Sequence, residues 1–171
     1  MPKSPSAVPS SAAVAADHAG EAPLFPLDVL RSRGDWLARA AREAVRQHQR
    51  CAELSERPDI DPRELGGALD LAAAADRQLG EAAEAYSKTG AKLNPDGDER
   101  GWWHHANALW LAAREHVRRH SLGDRLAKRV GTEPSPDRLT ELHVEFALEA
   151  SAMLSLQQAA DTYCKARPAA V

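Results

Sequence analysis

Proline, with the residues around it, cuts this chain into four long segments of helical rhythm, and that punctuation constrains the fold more than any other feature. The clearest start is Asp61-Pro62-Arg63-Glu64. Asp61 can cap, Pro62 suits the first helical position because its missing N–H is not needed there, and Glu64 completes a capping box. Ser135-Pro136 repeats the device. Pro58 and Pro168 mark stops, because the residue before a proline is pushed out of the helical region, and Gly90 suits a helix end.

Apolar residues recur between these marks at spacings of three and four. The first segment opens near Asp28 or Asp35 and carries Leu37, Ala40, Ala41, Ala44, His48 and Cys51; the second carries Leu65, Ala68, Ala72, Leu79, Ala83 and Tyr86. Asp98 caps the third, whose inner face is Trp102, Ala106, Leu109, Trp110, Ala113 and Val117, with Gly123 or Gly131 as its end. The fourth has a core stripe of Leu139, Leu142, Phe146, Ala150, Met153, Ala160 and Cys164. Ile60 is the only isoleucine and nothing alternates over strand length, so strands are excluded. The predicted fold is all-α: an antiparallel up-down-up-down four-helix bundle over residues 28–167. A disordered Pro/Ser/Ala-rich N-terminal tail, residues 1–27, precedes it and a short C-terminal tail, 168–171, follows.

Charge supports the winding order. Residues 31–50 hold six arginines against Asp35 and Glu43, whereas residues 59–99 hold ten acids against four basic groups. Residues 100–130 then carry seven basic groups against Glu115 and Asp124, and residues 132–166 six acids against Arg138 and Lys165. Sequential winding sets a basic helix beside an acidic one at every edge of the square. Each surface pair contributes at most about 1 kcal/mol, but the alternation disfavours placing the first and third helices side by side.

The same composition removes several function classes. A net charge of -3 argues against a protein whose main work is neutralising phosphates, so nucleic acid is an unfavoured partner. There is no run of eighteen apolar residues to span a membrane and no leucine-rich secretory signal, so the expected compartment is the cytoplasm. Cys51 and Cys164 are not spaced as a metal or redox pair. No nucleophile elbow or glycine-rich phosphate loop occurs, so no catalytic residue is predicted.

Three constellations remain. Antiparallel winding brings His48, His116, His120 and His143 to one end of the bundle, and His116 and His120 have the i, i+4 spacing that two imidazoles need to share a metal. With a carboxylate from Asp70, Asp76 or Glu149 they could hold a transition metal such as zinc or iron. Glu-x-x-His is absent and the second helix has no histidine, so neither the ferritin-like nor the hemerythrin-like pattern applies. The aromatic residues Trp36, Tyr86, Trp102, Trp103 and Tyr163 gather at the other end.

Trp103, Asn107, Trp110, Arg114 and Arg118 form a row beside the core face of the third helix, where guanidinium groups can stack on indole or meet an anionic or planar ligand. On the fourth helix, Val144, Leu148, Ala152, Ser155 and Ala159 lie opposite the core stripe, which leaves that helix apolar or small nearly all round. Such a helix is normally covered on both sides. The leading expectation from sequence is a non-enzymatic interaction or scaffold module, without cofactor, that docks itself or another helical protein there. A metal-binding bundle is the alternative.

Overall fold

In the computed structural model the described residues are 26–90 and 99–166, and they form four helices: α1 (Pro26–Ser55), α2 (Pro62–Gly90), α3 (Glu99–Thr132) and α4 (Pro136–Ala166). The expected tails, apart from the last two residues before Asp28, and the Asp98 cap lie outside the described residues. The starts of α2 and α4 are the ones the sequence marks. Asp61 accepts a hydrogen bond from the Arg63 backbone N–H at 2.9 Å, and Ser135 Oγ accepts one from Arg138 N–H at 3.3 Å. Glu64 does not close a capping box; it faces Arg57 at 3.6 Å. α3 runs through Gly123 and ends at Thr132, beside Gly131, the second of the two expected stops. One glycine costs a helix about 1 kcal/mol, and at Gly123 burial against α4 offsets this: a Cβ there would lie 3.6 Å from the Phe146 ring.

The helices pack in sequence order. α1 against α2 and α3 against α4 are the extensive interfaces, α2–α3 and α1–α4 close the square, and of the two diagonals α1 and α3 touch slightly while α2 and α4, among the described residues, do not. The late residues of α2 meet the early residues of α3, as in the hydrogen bond from Tyr86 OH to Asn107 Oδ1 at 3.0 Å. Late α4 meets early α1, where Tyr163 OH donates to Asp35 Oδ1 at 2.9 Å. Both pairings are antiparallel. The core is built largely of alanine, with Ala41, Ala44, Ala82, Ala106 and Ala113 fully buried beside Leu37, Leu79, Leu109 and Leu156. Small side chains let backbones approach closely, and burial at about 25 cal/mol per Å² then accumulates over four helices of 29 to 34 residues.

α4 is turned relative to the expected stripe. Its inward residues are Leu142, Glu145, Ala152, Leu156, Ala160 and Tyr163, whereas Leu139, Phe146, Ala150 and Cys164 are exposed. A helix apolar nearly all round gives no strong preference for one face, and the choice falls to polar contacts. Buried Glu145 meets Arg119 of α3 at 3.0 Å, and that pairing fixes the rotation. Ala152, expected on the outer face, therefore belongs to the core.

Gly34 is where α1 meets the aromatic end. A Cβ at this position would lie 2.7 Å from Tyr163 OH and 3.3 Å from the Trp102 ring, and both aromatic residues are buried. Tyr163 cannot retreat without losing Asp35. Gly34→Val should therefore lower stability by about 1–3 kcal/mol in urea denaturation followed by circular dichroism, as overpacking does. Gly66→Ala, where nothing lies within 4 Å, should raise it by about 0.5–1 kcal/mol.

Candidate functional site

The inward stripes of all four helices turn polar at one level. On α3 the buried series Trp102, Ala106, Leu109, Ala113 continues at the same spacing into His116 and His120. On α1, Leu37, Ala41 and Ala44 continue into His48, and on α2 Asp76 sits among Ala72, Ala75 and Leu79. Glu149 supplies the level from α4. A carboxylate taken out of water must be paired and hydrogen-bonded, and Asp76, whose side chain is 7% exposed, is met from two sides.

His116 Nε2 lies 3.0 Å from Asp76 Oδ1, and His48 Nε2 lies 2.8 Å from Asp76 Oδ2. His120 Nε2 is 3.5 Å from that same Oδ2. The other nitrogen of His120, Nδ1, is 2.7 Å from Glu149 Oε1. The His48 ring stands edge-on to both partners, with interplanar angles of 89° to His116 and 87° to His120, so one carboxylate can face three imidazoles. His116 is fully buried and its Nδ1 has no partner among the described residues.

Burial would push the Asp76 carboxyl up, but the hydrogen bonds from His116 and His48, with their charge, outweigh it and hold the group well below the usual carboxylate range. His120 moves the other way. Its hydrogen bond to Glu149 outweighs burial, and with the charges of Asp76, Glu149 and Asp124 the imidazole is raised to about 9. One turn beyond His48, burial raises the Cys51 thiol despite Arg50, so thiolate chemistry is disfavoured there.

Donor atoms of His48, Asp76 and His120 all lie within 4.8 Å of one another. Ligands about 2.0–2.2 Å from a zinc-sized ion stand roughly 3–4 Å apart, so the trio needs little adjustment. The surrounding bonds are those that support metal ligands: Glu149 orients His120 through its second nitrogen, and His116 holds the free oxygen of Asp76. His48 and His120 are 25% and 29% exposed, so the trio is reachable from one side.

Of the histidines predicted from sequence, His48, His116 and His120 come together and His143 does not. His143 is exposed, because the turn of α4 carries it outward. Among the candidate carboxylates the structure selects Asp76 and Glu149, while Asp70 faces solvent. Asp76 continues the three-and-four rhythm of α2 and Asp70 does not, so the choice was readable. Glu145 was missed because an apolar template passes over an inward acid, although it continues the stripe from Leu142.

The indole row divides: Trp110, Arg114 and Arg118 line one cleft, and Trp103 and Asn107 do not. Asn107 is taken by Tyr86, Arg118 by Glu115 at 2.9 and 2.7 Å, and half-buried Trp103 packs on the core. Arg114 lies over Trp110 at 4.9 Å. Of the outer α4 residues, Val144, Leu148 and Ser155 are exposed, Ala159 packs partly on the core and Ala152 is buried. Among the described residues no helix is long and apolar enough to cross a membrane. No protein-family model, curated protein or solved structure matches the chain. Fold and geometry together define a four-helix bundle with a histidine–carboxylate centre.

The opposed shifts set a pH dependence. The contribution of Asp76 is present above its ordinary value of 3.8 and is lost in stronger acid, as pH falls through its depressed folded value. The contribution of His120 is complete below 6.5 and is lost as pH rises through about 9. Chelator-treated protein should therefore melt highest between these flanks. Its melting temperature should fall from pH 6.5 to 9, and His120→Gln should flatten that alkaline limb.

Proposed function

We propose that this chain is a metal-binding helical bundle that holds one transition-metal ion of the zinc or iron(II) class through His48, Asp76 and His120. The observation that carries the reading is the convergence of these three donors, from three helices, within 4.8 Å. Two imidazoles and a carboxylate are the ligand types such ions share, and three protein ligands leave a position for water or substrate. His116 and Glu149 act as positioning residues. The test is calorimetric and spectroscopic. Chelator-treated protein should take up one Zn²⁺ or Fe²⁺ per chain and melt at a higher temperature when loaded, because a ligand bound only to the native state stabilises it. Asp76→Asn and His120→Ala should abolish uptake, and Glu149→Gln should weaken it by about 10- to 100-fold. Absence of stoichiometric uptake of either ion overturns the reading.

A second reading rests on a different observation and is compatible with the first: α4 carries Leu139, Val144, Phe146, Leu148 and Leu154 exposed across its outer half. Apolar surface of this kind marks contact with a second copy or another helical protein. Leu148→Glu should keep its helicity yet shift to a smaller species in light scattering. An unchanged mass removes self-association.

A further inference from the structure

α2 and α3 do not close fully against each other. Gly80, Ala83 and Ser87 present little side chain on α2, and opposite them α3 carries Trp110, Arg114 and Val117. The missing volume is a cleft of about 440 Å³, within the usual size of small-molecule sites. We infer that this cleft binds a flat aromatic carboxylate, held by Arg114 at its mouth and by the apolar walls around its ring. The proposal is independent of the metal reading.

Charge decides the sign of the ligand. Among the described residues Arg114 has no ion pair, whereas its neighbours Arg118 and Arg119 are both claimed by Glu115. Glu84, the acid in the cleft wall, is engaged by Lys88 at 2.6 Å. An entering carboxylate therefore meets an unpaired guanidinium and an acid already neutralised. Arg114 rests on the Trp110 ring at 4.9 Å, which restricts its planar fork before a ligand arrives and reduces the ordering cost of a two-point contact. The body of the ligand follows from the walls: Ala83, Val117 and the flank of Trp110 offer contact, and Gly80 leaves the width that a ring needs, since nothing lies within 4 Å of a Cβ built there.

The probe is 2-naphthoate, titrated into the full chelator-treated chain by calorimetry and tryptophan fluorescence, with 2-naphthylmethanol as the uncharged counterpart. Saturable one-to-one binding is expected, with a Kd below about 1 mM and the alcohol at least about tenfold weaker. Arg114→Gln should weaken 2-naphthoate by at least about tenfold. Gly80→Phe, which fills the cleft, should abolish binding with helicity retained, and Arg125→Gln, away from the cleft, should leave it unchanged. The proposal is overturned if 2-naphthoate does not saturate, if the alcohol binds equally well, or if Arg114→Gln binds like the parent chain. The Arg114 variant changes an exposed side chain, so it decides the matter even if Gly80→Phe fails to fold.

Discussion

The buried carboxylate of Asp76 is the group on which the histidine end of this bundle depends. Left alone in an alanine-rich interior, it would carry the desolvation penalty of an ion with nothing to offset it. The contacts from His48 and His116 offset that penalty, and each comes from a different helix. Removing one partner of such a set leaves a buried charge uncompensated, a loss of about 3–5 kcal/mol in comparable pairs. The polar level therefore fixes register. Sliding α1 by one turn would set Ala44 or Ala52 against the carboxylate, and sliding α3 would set Ala112 or Ala113 there in one direction but His120 in the other.

The same level links two packing units. α1–α2 and α3–α4 are each closely packed hairpins, with thinner contact between them. His48 and Asp76 belong to the first, His116, His120 and Glu149 to the second, so polar contacts join the hairpins where apolar burial is least extensive. A metal ion held by His48, Asp76 and His120 would add coordination bonds across that seam, from two ligands of the first hairpin to one of the second.

Much of this was legible in the sequence. Asp61-Pro62 and Ser135-Pro136 announced two helix starts through chemistry that acts locally, and the stripes of α1 to α3 named most of the core. Two imidazoles four apart on α3 announced the histidine end. What was not legible had a common cause. On α4 the apolar residues run round the helix, so periodicity could not select a face, and the selection came from Glu145 reaching Arg119 and Glu149 reaching His120. Both are contacts between helices, invisible to a one-helix template. With the face misplaced, His143 and Ala152 exchanged inside for outside. Gly123 was read as a stop because a local rule cannot know that α4 packs over it.

The hydrogen bond from Tyr163 to Asp35 joins residues 128 positions apart and ties the last turns of α4 to the start of α1. During synthesis α1, α2 and α3 leave the ribosome before their fourth neighbour exists. A nascent three-helix chain lacks the side chain that covers Gly34, the acid that meets Arg119 and the carboxylate that orients His120. It presents an open trough lined by Trp102 and the histidines. Contacts of such long sequence separation are slow to form and leave apolar surface uncovered meanwhile. Closure of the trough, which rests on contacts of long sequence separation, is therefore expected to lag behind formation of the individual helices.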